Sequence, residues 1–301
     1  MEQKLNYLEN IERQLQDLVR FEENAAAELE RIESAPVWQP TDYERYFLPG
    51  LRLLGINRED GIILQNIGDL HIHTQWSDGD DLDAVLAKAL DLHLDAIAIT
   101  DHDEIEGALE ARRRVHRDRL RIAVIPGIEV SSRDGHIGAL FVTKKIPKGL
   151  TAAETVQRIH EAGGIAVAHH PYSPRWIEKI LRVKLGCGDL IRSVDFDAIE
   201  VTNAVPGRGV KYNIQAIEKM REHHIPIAAT GSSDAHLAAF VGKGKTYWAG
   251  NEGIVSLLHA FRFGLTTGAE AYWKTREKLL YYLHLMKAIV RNRIKNYQSV
   301  N

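Results

Sequence analysis

The chain of 301 residues has a single cysteine, Cys187. One thiol excludes an internal disulfide and any cage of several thiolates around zinc, so a metal here has to be held by imidazole and carboxylate. Long apolar runs are lacking as well. No stretch approaches the roughly 18 apolar residues that cross a bilayer, and the first residues, MEQKLNYLENIERQL, carry acids where a signal peptide has a basic and then an apolar stretch. A cytoplasmic protein with no membrane partner is the expectation. Charge of one sign is also scarce: the net charge is −3, which gives no general pull toward nucleic acid. A nucleotide or short oligonucleotide is then the only nucleic acid to expect, because a small anion needs only local positive charge.

What is present is 45% hydrophobic residues, enough for one large α/β domain with appendages. Residues 1–34 predict a helix, with Leu8, Ile11, Leu15, Leu18, Ala25, Leu29 and Ile32 near a heptad spacing and Pro36 and Pro40 ending it. A second helical pattern runs from about Tyr272 to Tyr297, with Leu279, Leu280, Leu283, Met286, Ile289, Val290 and Ile294 on one face. Residues 1–34 hold nine acids against four bases, and 270–301 hold seven bases against two acids. That complementarity predicts pairing of the two helices, within a chain or across a homodimer; the alternative is that each covers the domain wall with a solvated charged face.

Between these ends, apolar β-branched runs at 67–73, 95–99, 121–125, 164–168, 197–201 and 225–229 alternate with helical stretches at 81–93, 104–117, 151–162, 174–185 and 208–223. An extra apolar run, GHIGALFV, lies at 135–142, and Tyr247–Ala249 offers a seventh, weaker strand. This alternation predicts a parallel sheet closed into a distorted (β/α)7 TIM-like barrel with N- and C-terminal helical extensions. The expected boundaries are 1–66 for the N-terminal helix and linker, 67–268 for the barrel and 269–301 for the C-terminal helix.

The chemistry lies at the ends of those runs. His71 and His73 end the first, Asp101 and His102 follow the second, and Glu129 follows the third. His169 and His170 follow the fourth, Glu200 lies in the fifth, and Asp234 and His236 follow the sixth. The C-termini of parallel barrel strands open on one face, so these side chains are expected to converge. His71 and His73, two apart on a strand, point to the same side. An isolated pair of that kind is as easily a hydrogen-bonded core feature, but so many titratable groups at one rim need cations to neutralise them.

At these residues the sequence resembles the PHP (polymerase and histidinol phosphatase) family of metal-dependent phosphoesterases. The resemblance rests on DLHIHTQWSDG at 69–79, ITDHD at 99–103, PGIEVSS at 126–132, GHIGALF at 135–141, AHHP at 168–171 and GSSDAH at 231–236, in that order. It implies two or three divalent cations held by His71, His73, Asp78, His102, Glu129, His136, His170, Asp234 and His236. By that analogy His71, His73 and Asp234 hold one ion, which Glu129 bridges to a second held by His136 and His170, while Asp78, His102 and His236 hold a third. Of the adjacent His169 and His170, the family pattern selects the one before proline, leaving His169 in the barrel wall or behind a ligand. Glu200 and Asn203 are expected to orient ligands or line the pocket.

A nitrogen and oxygen donor set suits Zn²⁺, Mn²⁺ or Fe²⁺. The implied reaction is hydrolysis of a small phosphorylated substrate, a phosphomonoester or phosphodiester that is nucleotide-related in some members, by a metal-bound hydroxide. Asp101, or a nearby histidine, is the expected proton donor to the leaving oxygen. Arg175 and Arg208, after the fourth and fifth runs, are the candidates for a second anionic group on the substrate, with Lys243 and Lys245 next, and Trp176 and Trp248 for lining a pocket. Oligonucleotide-cleaving members carry a long insertion before the AHP motif, which the short stretch from Phe141 to Pro171 lacks. Two alternatives stay open: a hydrolase of a non-phosphate ester or carbamate on the same metals, and a non-catalytic module that binds a protein partner.

Overall fold

The computed structural model describes residues 64–174, 178–179, 183–206, 209–222, 227–250, 254–270, 273–274 and 276–281. The predicted helix at 1–34, most of the one at 272–297, and Arg175, Trp176 and Arg208 lie outside them. The strands are β1 (Leu64–Ile72), β2 (Ala96–Ile99), β3 (Ala123–Ser132), β4 (Gly135–Leu140), β5 (Ile165–Ala168), β6 (Ala198–Asn203), β7 (Ala228–Ser232), β8 (Gly244–Ala249) and β9 (Thr266–Glu270). Between them lie α1 (Leu82–Asp91), α2 (Glu106–Arg117), α3 (Ala152–Glu161), α4 (Gly209–Glu222) and α5 (Ile254–Phe263). Among the described residues no helix is long and apolar enough to cross a membrane.

The strands form one sheet in the order β7-β6-β5-β4-β3-β2-β1-β8-β9. It curls until its ends meet. β7 and the β8–β9 pair share no strand ladder and are joined by threonine hydroxyls: Thr246 Oγ1 donates to Gly231 O at 2.7 Å and accepts from Gly231 N, and Thr266 Oγ1 donates to Ala229 O at 2.7 Å. Gly231 and Gly268 have no Cβ at this seam, and one on either would press into the facing backbone.

The barrel-like architecture is the one expected, with nine strands in place of seven. The extra apolar run at 135–142 supplies β4, which turns back on β3 as a hairpin and then pairs antiparallel with β5. β8 runs antiparallel to β1, and β9 antiparallel to β8. Within the segment expected to be helical at 174–185, residues 178–179 are helical and 183–185 are not.

Local chemistry accounts for the helices. α1 opens on Asp81, whose side chain accepts from Asp83 N at 2.9 Å, and buries Leu82, Val85, Leu86 and Ala89, one stripe of a 3.6-residue repeat. α3 opens on a capping box in which Thr151 and Glu154 each satisfy the other's backbone N–H. The short strands β2, β5, β6 and β7 are buried throughout, which explains the continuous apolar sequence of β2 and β5. Ala96, Ile165, Ala198 and Ala228, the first residues of these strands, cluster with Trp248, Leu257, Leu258 and Phe261. That cluster fills the barrel at the strand N-termini and leaves the opposite end for polar groups.

Candidate metal centre

At the C-terminal ends of the parallel strands, imidazoles and carboxylates converge. His71 lies on β1 with His73 just beyond it, and His136 lies on β4. His102 follows β2, His169 and His170 leave β5, and Asp234 and His236 follow β7. Glu129 lies within β3, which runs on to Ser132.

Glu129 sits in the middle, with only 1% of its side chain exposed. Its Oε1 is 3.3 Å from His71 Nε2, 3.1 Å from His136 Nδ1, 3.2 Å from His169 Nδ1 and 3.0 Å from His170 Nε2. Its Oε2 is 3.1 Å from His102 Nδ1 and 3.5 Å from His73 Nε2. Potential ligand atoms gather into overlapping sets: His71, His73 and Asp234; His71, Glu129 and His170; His102, Glu129 and His136; and His73, Asp78, His102 and His236. These sets bring together all the residues that the family resemblance implies as ligands, with Glu129 shared between two sets in place of one grouping with both His136 and His170.

The electrostatics fit a site built for positive charge. Burial acts to raise the Glu129 pKa, yet His136, His71 and His102 hold it well below the usual carboxylate range. Burial, reinforced by His236 and His102, pushes His73 down to about 3. His71 goes the other way: burial disfavours its charge, but Glu129, Asp234 and Glu200 lift it well above its ordinary value. The Nε2 atoms of His71 and His73 face each other at 3.1 Å. His73 Nδ1, His136 Nδ1 and Glu129 Oε2 are buried without a hydrogen bond, a cost that coordination to cations would remove. The residues present therefore fit divalent metal ions.

A further layer fixes the ligands. Glu200 Oε1 is 3.2 Å from His71 Nδ1, while its Oε2 accepts from His170 N at 2.7 Å and Asn203 Nδ2 at 3.0 Å. Burial raises the Glu200 pKa, but His71, His169 and His170 bring it down to about 2. Asn203 Nδ2 also reaches Asp234 Oδ2 at 3.2 Å. Both residues thus stand where an orienting role requires. Asp69, which the sequence reading did not single out, accepts from Ser233 N at 3.0 Å and Gly242 N at 2.7 Å and so anchors the loop that carries Asp234 and His236. The signal for it was a carboxylate on the same strand as His71, two residues before it. His170 and Asp234 have positive φ, 28° and 51°, a backbone strain common at binding sites.

His169 is closer to the cluster than a wall position implies. It stacks on His71 with ring centroids 3.8 Å apart and shares Glu129 Oε1 with His170. Asp101, the expected proton donor, is buried with its carboxylate bound by Thr74 and Ser77. Trp248 does not line the site: it is fully buried, and its Nε1 donates to Ser256 Oγ at 3.1 Å. Because β8 is antiparallel to β1, this tryptophan faces the strand N-termini. Lys243 Nζ is 2.8 Å from Glu277 and 5.4 Å from the centre of the Trp273 ring.

The family model described as the PHP domain matches residues 69–265. The uncharacterized protein MJ1587 of Methanocaldococcus jannaschii is 36% identical over 166 residues, covering 51% of this chain and 91% of that protein. The phosphoribosyl 1,2-cyclic phosphate 1,2-diphosphodiesterase of Eggerthella lenta is 41% identical over 102 residues, 31% of this chain and 38% of that enzyme. Among solved structures, a two-domain protein from Bacteroides vulgatus containing a predicted PHP-like metal-dependent phosphoesterase superposes with a TM-score of 0.53 at 17% identity, covering 74% of this chain and 72% of that one. At that identity the likeness is one of fold.

Proposed function

The chain belongs to the PHP domain family, and on that premise we propose that it is a metal-dependent phosphoesterase acting on a small phosphorylated substrate, with two or three divalent cations at the rim of the barrel. The observation that carries this reading is Glu129, a buried carboxylate ringed by imidazoles, among which His71 is held from behind by Glu200 and His73 Nδ1 has no hydrogen bond. A structural core gains nothing from crowding such groups, whereas a cation site requires it.

His71, His73 and Asp234 would hold one ion and Asp78, His102 and His236 another, and Glu129 would serve the ions on both sides of it, with His170 on the His71 side and His136 on the His102 side. Ions held there supply Lewis acidity, lowering the pKa of a bound water and polarising phosphoryl oxygens. The chain's own residues do the rest. Glu200 fixes the His71 ring so that its Nε2 points into the cluster. Asn203 ties Glu200 to Asp234, so a ligand on β7 and the orienting carboxylate on β6 hold one geometry. The inner ligands are nearly inaccessible, while Asp78, His102 and His236 are 47%, 27% and 23% exposed. Substrate therefore approaches from the side of those three.

The diesterase name of the Eggerthella lenta relative supports a phosphodiester as well as a monoester. The reading is tested with manganese-loaded protein on p-nitrophenyl phosphate, bis-p-nitrophenyl phosphate and a p-nitrophenyl carboxylic ester. Turnover of a phosphate substrate that disappears in Asp234→Asn supports it; turnover of the carboxylic ester alone overturns it.

A further inference from the structure

Asp101 precedes His102 at the exit of β2 and is fully buried. Its Oδ1 accepts from Thr74 N at 2.6 Å and Ser77 Oγ at 2.7 Å, and its Oδ2 accepts from Thr74 Oγ1 at 2.5 Å. A Cβ at Gly107, in the first turn of α2, would collide with Oδ2, so the helix presses the carboxylate onto this one partner segment. The segment is a tight turn: Ser77 N and Gly79 N both donate to Thr74 O, at 3.1 and 2.9 Å. It carries Asp78, whose Oδ1 is 3.3 Å from His236 Nε2 and 4.0 Å from His102 Nε2. Its far end is tied down by Asp80, which accepts from Ala238 N at 2.9 Å.

We propose that Asp101 is a positioning residue: it fixes the 74–80 turn from below and thereby sets the Asp78 carboxylate against His102 and His236, where the outer cation is held. Both of its oxygens are engaged by that turn, which leaves it no part in proton transfer to substrate. The inference rests on the metal centre proposed above but not on the nature of the substrate.

The hydrogen-bond pattern separates this role from a charged or proton-donating one. An asparagine at 101 can keep its carbonyl on Thr74 N and Ser77 Oγ and turn its NH₂ toward Thr74 Oγ1, which then accepts. An alanine can do neither. The experiment is calorimetric titration of the chelator-treated full-length chain with Mn²⁺, with the bound metal counted independently by elemental analysis. Asp101→Ala is expected to weaken the weakest class of Mn²⁺ sites by about 10- to 100-fold, the usual cost of losing a group behind a ligand, and to leave the tight class unchanged. Asp101→Asn is expected to keep all classes within about threefold of the parent, and to keep turnover, which loss of a general acid would lower by about 100-fold or more.

Equal loss of every class in Asp101→Ala, or loss in Asp101→Asn matching that in Asp101→Ala, overturns the proposal. Should Asp101→Ala fail to fold, Thr74→Val removes one partner alone; it is expected to weaken the outer class and Thr74→Ser to restore it, and wild-type binding by Thr74→Val likewise overturns the proposal. A parent chain that binds no Mn²⁺ would instead remove the metal centre itself.

Discussion

His71 Nδ1 lies 3.2 Å from Glu200 Oε1, and this contact decides which nitrogen of His71 faces the cluster. With Nδ1 engaged from behind, Nε2 is the atom left to meet a cation. Glu200 receives donors on both oxygens, Ser232 Oγ and His71 on one and His170 N and Asn203 on the other. A glutamine there has to turn its NH₂ either toward the His71 Nδ1–H or toward His170 N and Asn203 Nδ2, all of which donate. Glu200→Gln is therefore expected to lower metal affinity by about 10- to 100-fold while the chain stays folded. Metal content after dialysis, beside a circular dichroism spectrum, checks both halves of the statement.

His169 occupies the space that a side chain at position 138 would need, since a Cβ on Gly138 would run into its imidazole. That ring stacks on His71 and touches Glu129, so Gly138 is what admits it to the cluster. Gly138→Ala is expected to destabilise the chain by about 1–3 kcal/mol through overpacking and to reduce metal affinity by displacing the ring. A paired Gly138→Ala, His169→Ala variant recovers the stability but not the affinity. Thermal melts with and without added Mn²⁺ measure the two effects separately.

The sequence carried much of this because strands buried on both faces announce themselves as apolar runs, and the clustered imidazoles and carboxylates sit at their ends. AIAI at 96–99 and IAVA at 165–168 are legible in that way. TTGAE at 266–270 is not: β9 has little apolar signal because it joins β7 through the hydroxyl of Thr266 and a glycine seam. Strand direction was equally hidden: a parallel β8 would put Trp248 at the rim beside the imidazoles, whereas the antiparallel strand buries it at the other end. Among carboxylates, composition cannot say which faces a cation and which faces a backbone. Asp101 and Asp234 both stand at strand exits, and only the turn bound by Asp101 shows the difference.

Cys187 is buried, and burial pushes its thiol up to about 12. At pH 8 only about one molecule in ten thousand then carries the reactive thiolate, against a substantial fraction for a free cysteine. Native protein is expected to react with a disulfide reagent such as dithionitrobenzoate at least a hundredfold more slowly than the unfolded chain, whether or not metal is bound. Rapid modification of one thiol per chain without denaturant would contradict the burial of Cys187.

The pH dependence of the chelator-treated protein follows from two histidines shifted in opposite directions. His73, pushed down to about 3 by burial and by its neighbours His236 and His102, stays neutral in the folded chain while the unfolded chain takes up protons below about 6.5. Stability therefore falls as the pH drops from about 6.5 toward 3. Burial disfavours the charge on His236, but Asp78 and Asp234 outweigh it and raise its pKa to about 9. Its contribution is complete below about 6.5 and is lost as the pH rises through 9. Melting temperatures of the metal-free chain are thus expected to peak near pH 6.5 and to fall on both sides. Saturating Mn²⁺ should remove the alkaline fall, because the cation then occupies the nitrogens on which protons were retained. His236→Asn should reduce it as well, without any metal, leaving the part that the raised His71 contributes. A metal-free profile that stays flat from pH 6.5 to 9.5 would show that Asp78 does not face His236.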